Sequence, residues 1–284
     1  LMETKNFLGN KLIYTARLKE VGIPTTETQA FVARGYGQSS DLLIEDEAGL
    51  LSFLRERAVY PLFGKPQGGS KAVGTACFDR LEDDVLFLGN GGRVGIDQLV
   101  EEVFSRYSDG YLFQSALRPH KQMAEATGKA LCCVRMVTYR EGGSVLPLYS
   151  VWRIPGPEAM SDNFWQTGSM MGLIDDETGE VKTFIRGKGP KSECLTHHPK
   201  SGKPILGFKI PHWEELCKVA FATHEVTPDL PILGLDIAIT DKGPVVLESN
   251  DLPNHVNFQY AARRGVYNTE FRPIFKRLAK QVRR

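Results

Sequence analysis

A chain of 284 residues with 42% hydrophobic and 24% charged residues has the size and composition of a globular protein with one large core or two smaller ones. Its net charge of +1 excludes a global field for nucleic acid or an anionic membrane, no apolar run reaches membrane-spanning length, and no signal-peptide pattern is present. The five cysteines are odd in number, and Cys132 and Cys133 are neighbours in a strand-like run and so point to opposite faces; reduced thiols and a cytoplasmic protein are the expectation.

Asn10 to Val21 reads as a helix with Leu8, Leu12 and Ala16 on one buried stripe, ended by Gly22 and Pro24. Gln29 to Arg34 is a short strand, and Glu47 to Arg57 a second amphipathic helix. In residues 59–75 an apolar strand delivers Lys65 at its end, and a loop with Gly68, Gly69, Ser70 and Gly74 follows. Such a loop lets backbone N–H groups approach an anion beside a lysine point charge, although a glycine-rich hairpin without a ligand reads the same way. It is not a Walker A loop, because no Gly-Lys-Ser/Thr opens a helix after it. Val85 to Leu88 is a strand, Ile96 to Phe104 a helix, and Tyr111 to Leu117 a strand leading to Arg118-Pro119-His120. Tyr107 to Gly110 between them is the expected subdomain boundary, dividing the chain into 1–110 and 111–284.

From residue 131 the pattern is β: LCCVRMVTY, a turn at Glu141-Gly142-Gly143, then SVLPLYSVWRI. Arg135 and Arg153 sit in these two apolar strands. Each either holds a carboxylate or contributes to an anion-binding surface. Residues 160–210 read as loop-rich, with short strands near 172–175 and 181–186 and a long basic loop over 186–210 that faces substrate. His197-His198 lack a carboxylate or cysteine at metal-binding spacing and read as surface loop. Trp213 to Phe221 is a helix, and Phe258 to Arg264 and Thr269 to Val282 are closing helices. The basic tail KRLAKQVRR reads as the solvated end of the last one.

Between these helices lies GLDIAITDKGPVVLESNDLPN, residues 234–254, two apolar runs flanking Asp241-Lys242-Gly243. A three-residue loop makes Thr240 and Pro244 the closing pair and sets Asp236 opposite Glu248. Asn250 then shares a face with Glu248, while Leu235, Ile237 and Ile239 face the other way. Two facing carboxylates destabilise a sheet unless they are neutralised. Asp, Glu and an Asn carbonyl are oxygen ligands that Mg²⁺ accepts beside phosphates.

The order of these segments resembles the ATP-grasp superfamily across nearly the whole chain, and within it the sugar-transfer-associated branch. The matching stretches are GNKLIYTARLKEVGIPTT, LFGKPQGGSKAVG, LFQSALRPH with CVRMVTY, WRIPG and DNFWQTGS, and GLDIAI with GPVVLESNDLPN. The resemblance implies an α+β fold with two α+β subdomains gripping ATP between antiparallel sheets. It implies that Lys11 and Lys65 reach the nucleotide phosphates with Gly68, Gly69, Ser70 and Gly74. Adenine would lie at the hinge of Gln114, Ser115, Ala116 and Leu117, close to His120. Asp236, Glu248 and Asn250 would hold Mg²⁺, or Mn²⁺ in its place. Superfamily ligases usually carry a further N-terminal domain ahead of the lysine helix. This sequence opens almost at that helix, which leaves the seat of an acceptor carboxylate open.

The activity so implied is an ATP-dependent, ADP-forming ligase that activates a small carboxylate as an acylphosphate and joins it to an amine or thiol. The acceptor would be an amino acid, peptide or sugar precursor. Arg135, Arg153 and Lys65 would stabilise the reacting oxygens. A small-molecule kinase using the same nucleotide site is the rival enzyme, and a nucleotide-binding module without chemistry is the third reading. Neither nucleic acid nor a membrane span is expected, and the sequence leaves the oligomeric state open.

Overall fold

The computed structural model describes residues 7–36, 42–68, 73–156, 159–160 and 167–282. The chain forms two compact units, one of residues 26–117 and the other built from the N-terminal helix and most of the chain after 118. That helix, α1 (Lys11–Glu20), starts where Asn10 Oδ1 accepts from the backbone N–H groups of Leu12 and Ile13 at 3.1 and 3.2 Å. Its buried residues are Tyr14, Thr15 and Leu18, while Ala16 is exposed, so the expected Leu8/Leu12/Ala16 stripe is not the buried one. Lys11 lies three, four and seven positions before those residues and therefore shares their face.

In residues 26–117 a seven-stranded sheet has the order β2–β1–β7–β3–β4–β5–β6. Its strands are β1 (Thr28–Val32), β2 (Leu43–Ile44), β3 (Leu62–Pro66), β4 (Ala76–Glu82), β5 (Val85–Leu88), β6 (Arg93–Gly95) and β7 (Tyr111–Ser115). Helix α2 (Glu47–Ser52), continued by a π-helical turn over Phe53–Arg57, and helix α3 (Ile96–Arg106) supply the cover. Ile96, Leu99, Val100 and Val103 recur at helical spacing and are buried in one cluster with Phe53, Leu54, Leu62, Phe78 and Phe113. Strand β7 pairs with both β1 and β3 in mid-sheet, so Tyr107–Gly110 is a turn within this unit and a division at residue 110 falls inside it.

The second sheet has the order β12–β11–β10–β9–β8–β13–β14. Its strands are β8 (Cys133–Glu141), β9 (Ser144–Ile154), β10 (Met170–Ile174), β11 (Val181–Arg186), β12 (Glu193–Cys194), β13 (Ile232–Thr240) and β14 (Gly243–Asn250). One face carries Val134, Met136, Trp152, Leu235, Ile237 and Ile239, packed with residues of α1, α4 (Lys121–Thr127) and α5 (Trp213–Glu225). The other carries Val137, Tyr149, Val151 and Met171 under Phe258 and Ala261 of α6 (Val256–Ala262) and Leu278 of α7 (Arg272–Val282). Helix α7 starts at Arg272 and not at Thr269, and α6 starts and stops two residues before its expected bounds for local reasons. Asn254 Oδ1 accepts from the Val256 N–H at 2.9 Å, and Arg263 takes a left-handed φ of 51°. The segment 186–210 is not a free loop: β12 pairs with β11, His197 bridges Pro204, and Ile205 and Ile210 are fully buried in the core.

Candidate functional site

Four adjacent strands of the second sheet build the site. Arg135 on β8 pairs directly with Asp236 on β13, and Asp236 pairs on its other side with Glu248 on β14. Arg153 on β9 is the cross-strand partner of Cys133, two residues before Arg135, and so lies on the same face. Across the sheet the charges therefore run plus, plus, minus, minus. Asp236 does face Glu248, but by a different route from the expected one. The strands close on Thr240 and Gly243, where Gly243 has φ 110°, and an irregularity after Asp236 skips Leu247. The two one-residue departures offset each other. The bulge also lets Val246 enter the core while Glu248 stays on the polar face.

Arg135 holds Asp236 as a fork. Its Nε donates to Oδ1 in a short contact and its Nη2 donates to Oδ2 at 2.7 Å, while Arg153 Nη1 donates to Oδ2 at 2.9 Å. Burial alone would push the Asp236 carboxyl up, but the two guanidiniums outweigh it and hold the group well below the usual carboxylate range. Burial likewise opposes the charge on Arg135, and Asp236 more than restores it.

At the β14 end, burial lowers the Lys11 ammonium and the Glu248 carboxylate only partly opposes it, so that the lysine of α1 and the acid of β14 interact electrostatically. The Tyr14 hydroxyl is in short contact with Ser249 Oγ, pinning α1 to the strand that carries Glu248. Val246 N–H donates to the Pro24 carbonyl at 2.9 Å and ties the turn after α1 to the same strand. The Asn250 amide nitrogen is buried without a hydrogen-bond partner.

The donor set fits a hard divalent cation with one restriction. Among the described residues no three His, Cys, Asp or Glu side chains converge on a metal position, so a cation here relies on two carboxylates and an amide oxygen. A carboxylate has about four lone-pair positions, and the arginines fill three of Asp236's. The remaining one belongs to Oδ1, and Glu248 lies within hydrogen-bonding reach of this carboxylate.

Other expected residues take separate places. Lys65 is half-buried on β3 opposite Leu112. A Cβ on Gly68 would meet only the flexible end of Asp109, Oδ2 at 3.3 Å, whereas one on Gly74 (φ 75°) would meet the Tyr107 hydroxyl at 2.4 Å; packing thus requires glycine at 74 before any ligand is considered. Gly69 and Ser70 lie outside the described residues. Gln114 is buried, and its Nε2 donates to Thr26 and Thr28 at 2.9 and 3.1 Å. The N–H groups of Ser115 and Ala116 donate to the carbonyls of Glu27 and Pro61, and Leu117 ends this unit. The backbone donors of Ser115 and Ala116 are thus engaged within the sheet. His120 belongs to the other unit, where its Nδ1 accepts from the Gln122 N–H and its ring meets His212 edge-on at 5.5 Å. His197 and His198 make local turn contacts with Thr196 and Ser201.

The sequence reading missed the Tyr14–Ser249 pin. It also missed Tyr149, whose hydroxyl meets His255 Nδ1 at 2.8 Å, just after the DLPN segment that follows β14. Tyr14 was discoverable from its i+3 spacing to Lys11. The Tyr149–His255 pair spans 106 positions and leaves no local signal.

The family described as sugar-transfer associated ATP-grasp matches residues 3–272. No curated protein matches the chain. Among solved structures the chain is similar to the D-alanine–D-alanine ligase of Helicobacter pylori, at 12% identity and TM-score 0.55 over 97% of this chain and 61% of that one. It is also similar to the VanG D-Ala:D-Ser ligase of Enterococcus faecalis, at 10% identity and TM-score 0.56 over 97% of this chain and 62% of that one. The chain thus spans about three fifths of the length of these ligases. At such identities the likeness establishes the fold: a mixed α+β arrangement with two antiparallel-rich sheets, that of ATP-grasp ligases. No helix among the described residues is long and apolar enough to cross a membrane.

Proposed function

The chain belongs to the sugar-transfer-associated ATP-grasp family, and from that membership we propose that it is an ADP-forming ligase that joins a small carboxylate to an amine. The observation that carries this reading is the charge ladder Arg153–Arg135–Asp236–Glu248 with Lys11 beside it. Lys11, Lys65 and the loop of Gly68, Gly69, Ser70 and Gly74 bind the phosphates of ATP in this reading, and the segment Gln114–Leu117 lies near adenine. Glu248, Asn250 and Asp236 would hold Mg²⁺, for which Mn²⁺ can substitute, and the cation would offset charge on the phosphate oxygens.

The chemistry needs no protein nucleophile. An oxygen of the acceptor carboxylate attacks the γ-phosphorus, the bond to the β-phosphate oxygen breaks, and ADP leaves. The amine nitrogen then adds to the acyl carbon, the carbon–oxygen bond to phosphate breaks, and the nitrogen loses a proton. Arg135 and Arg153 stabilise the oxyanion of that second step, and Lys11 and Lys65 screen the phosphates in the first. A reducing, cytoplasmic setting accords with ATP as substrate and with five cysteines that form no disulfide. Amino acids, peptides and sugar precursors are the acceptors to try first.

Hydroxylamine trapping tests the reading. With Mg-ATP and a panel of acids, a ligase releases ADP and phosphate and leaves a hydroxamate. Phosphorylated product without free phosphate would make the protein a kinase, and background ATP turnover with every acid and amine would leave a binding module. Glu248→Gln is expected to abolish metal-dependent turnover in a folded protein.

A further inference from the structure

On the sheet face that carries the charge ladder, the next row of positions runs Asn250, Gly234, Val137 and Tyr149, from β14 to β9. Rows on one face are two residues apart along a strand, roughly 7 Å. Residues 251–255 cross this row. Pro253 sits over Gly234, where an added Cβ would lie 2.8 Å from the proline Cβ, and His255 reaches Tyr149 at the far end. Tyr149 is two positions from Val151, the cross-strand partner of Arg135, which makes it a diagonal neighbour of that arginine. The Arg135 charge accordingly opposes part of the effect of burial on the Tyr149 hydroxyl.

The pair fixes which imidazole nitrogen carries the proton. Tyr149 is 1% exposed, and among the described residues its hydroxyl meets only His255 Nδ1, at 2.8 Å. A buried hydroxyl gives its proton to an acceptor, so Tyr149 donates and Nδ1 accepts. Burial raises the Tyr149 hydroxyl and lowers the His255 imidazole, which keeps both groups neutral at neutral pH. The imidazole proton is therefore on Nε2, and that N–H makes no hydrogen bond to a described residue. Two positions on, Asn257 is 6% exposed, and its amide also has no hydrogen-bond partner among the described residues. Guanidiniums select a carboxylate, whereas a neutral N–H suits an uncharged oxygen.

We propose that His255 sets acceptor specificity: its Nε2–H donates to a hydroxyl or amide carbonyl oxygen of the carboxylate substrate, and Tyr149 is the positioning residue that keeps the proton on Nε2. This deepens the ligase reading and rests on it, because that reading puts the reacting carboxyl group at Arg135 and Arg153. The recognised oxygen then lies about one row away, several bonds from the carboxyl carbon. The acceptor class narrows to polyhydroxy acids and to N-acyl amino acids or peptides. An unmodified amino acid brings an ammonium, which an N–H donor cannot receive.

Nitrogen-15 NMR of the whole chain with labelled histidine reads the tautomer directly. The His255 signals, assigned by their loss in His255→Phe, should show a protonated Nε2 at neutral pH, and Tyr149→Phe should mix the two tautomers. A proton on Nδ1 in the wild type, or a tautomer unmoved by Tyr149→Phe, overturns the positioning role. Gluconate against hexanoate, and N-acetylglycine against pentanoate, each with Mg-ADP, test recognition. The oxygen-bearing acid of each pair should shift the Nε2 resonance and bind about five- to tenfold more tightly than its partner. His255→Phe should remove that preference, and His255→Gln, which keeps an N–H, should restore part of it. If His255→Phe does not fold, His255→Gln makes the assignment and the resonance shift carries the test. No shift with either oxygen-bearing acid, or a preference that survives His255→Phe, overturns the proposal whatever hydroxylamine trapping gives. A shift with no hydroxamate from any acid keeps the receptor and refutes the ligase reading.

Discussion

Replacing Asp236 by Asn removes the charge that holds two buried guanidiniums while keeping the side-chain volume. The Asp236 side chain is 5% exposed, and three charge-assisted hydrogen bonds converge on it. Breaking a buried ion pair by removing one partner costs roughly 3–5 kcal/mol, because the survivors stay desolvated and charged. Asparagine can still accept through its single carbonyl oxygen, and the more exposed Arg153 can turn toward Glu248, so the lower end, about 3 kcal/mol, is expected. The chain's three tryptophans, Trp152, Trp165 and Trp213, all fall outside residues 26–117, so their fluorescence reports the unit that carries the pair. With a urea slope of about 2 kcal/mol/M, the tryptophan transition should move down by about 1–2 M. The pH dependence has a fixed sign. The folded carboxyl is held below its unfolded value, so its stabilisation is present above the unfolded value of 3.8 and is lost as pH falls through the lower, folded one. The gap between wild type and Asp236→Asn should therefore be full at neutral pH and close in acid. Double replacement with Arg135→Met should recover much of the loss. A midpoint shift below about 0.3 M, or a gap that persists in acid, would refute the reasoning.

Three further outcomes are expected. A Cβ on Gly234 would lie 2.8 Å from Pro253 Cβ, so Gly234→Ala should push the loop after Asn250 outward, cost roughly 1–3 kcal/mol by urea titration, and reduce metal-dependent turnover more than Ala238→Gly does. Lys65→Ala should weaken ATP binding about tenfold with an unchanged tryptophan transition, and unaltered nucleotide affinity in calorimetry would remove Lys65 from the site. Asp176 is pushed up to about 6 by burial, with Ser150 partly opposing, so its folded form prefers the proton. Its contribution is full below the unfolded value of 3.8 and lost as pH rises through 6. Asp176→Asn should therefore gain about 2–3 kcal/mol over wild type at pH 8 and nothing at pH 3.5, as read from denaturation at the two pH values.

The order of elements was legible in the sequence because each rests on local signals. The apolar spacing of Ile96, Leu99, Val100 and Val103, the Gly22-Ile23-Pro24 stop and the alternation of LDIAI are all contained within a dozen residues. The buried face of α1 was not legible, because Leu12 and Ala16 compete with Tyr14 and Leu18 as an apolar stripe. Contacts far away in sequence decide between them: Tyr14 meets Ser249, 235 positions away, and Leu18 is buried in the core cluster. The hairpin shows a subtler limit. Asp241-Lys242-Gly243 marks a turn without stating which residues close it, and nothing in VVLES marks Leu247 as the bulge. Asp236 opposite Glu248 came out of a register that the strands do not follow near the turn.

The arginines show why a residue's chemistry is easier to read than its partner. Arg135 and Arg153 were visible as cations in apolar strands, and both readings open to them, an anion receptor and a clamp on a carboxylate, were physically sound. The choice turns on β8 pairing with β13 in a register that sets residue 135 against residue 236, a contact 101 positions apart that no window of sequence contains. Once that register is fixed, the alternatives stop excluding each other. A guanidinium on Asp236 neutralises a buried carboxylate and so stabilises the fold, and in the proposed function the same pair of arginines faces the reacting anion.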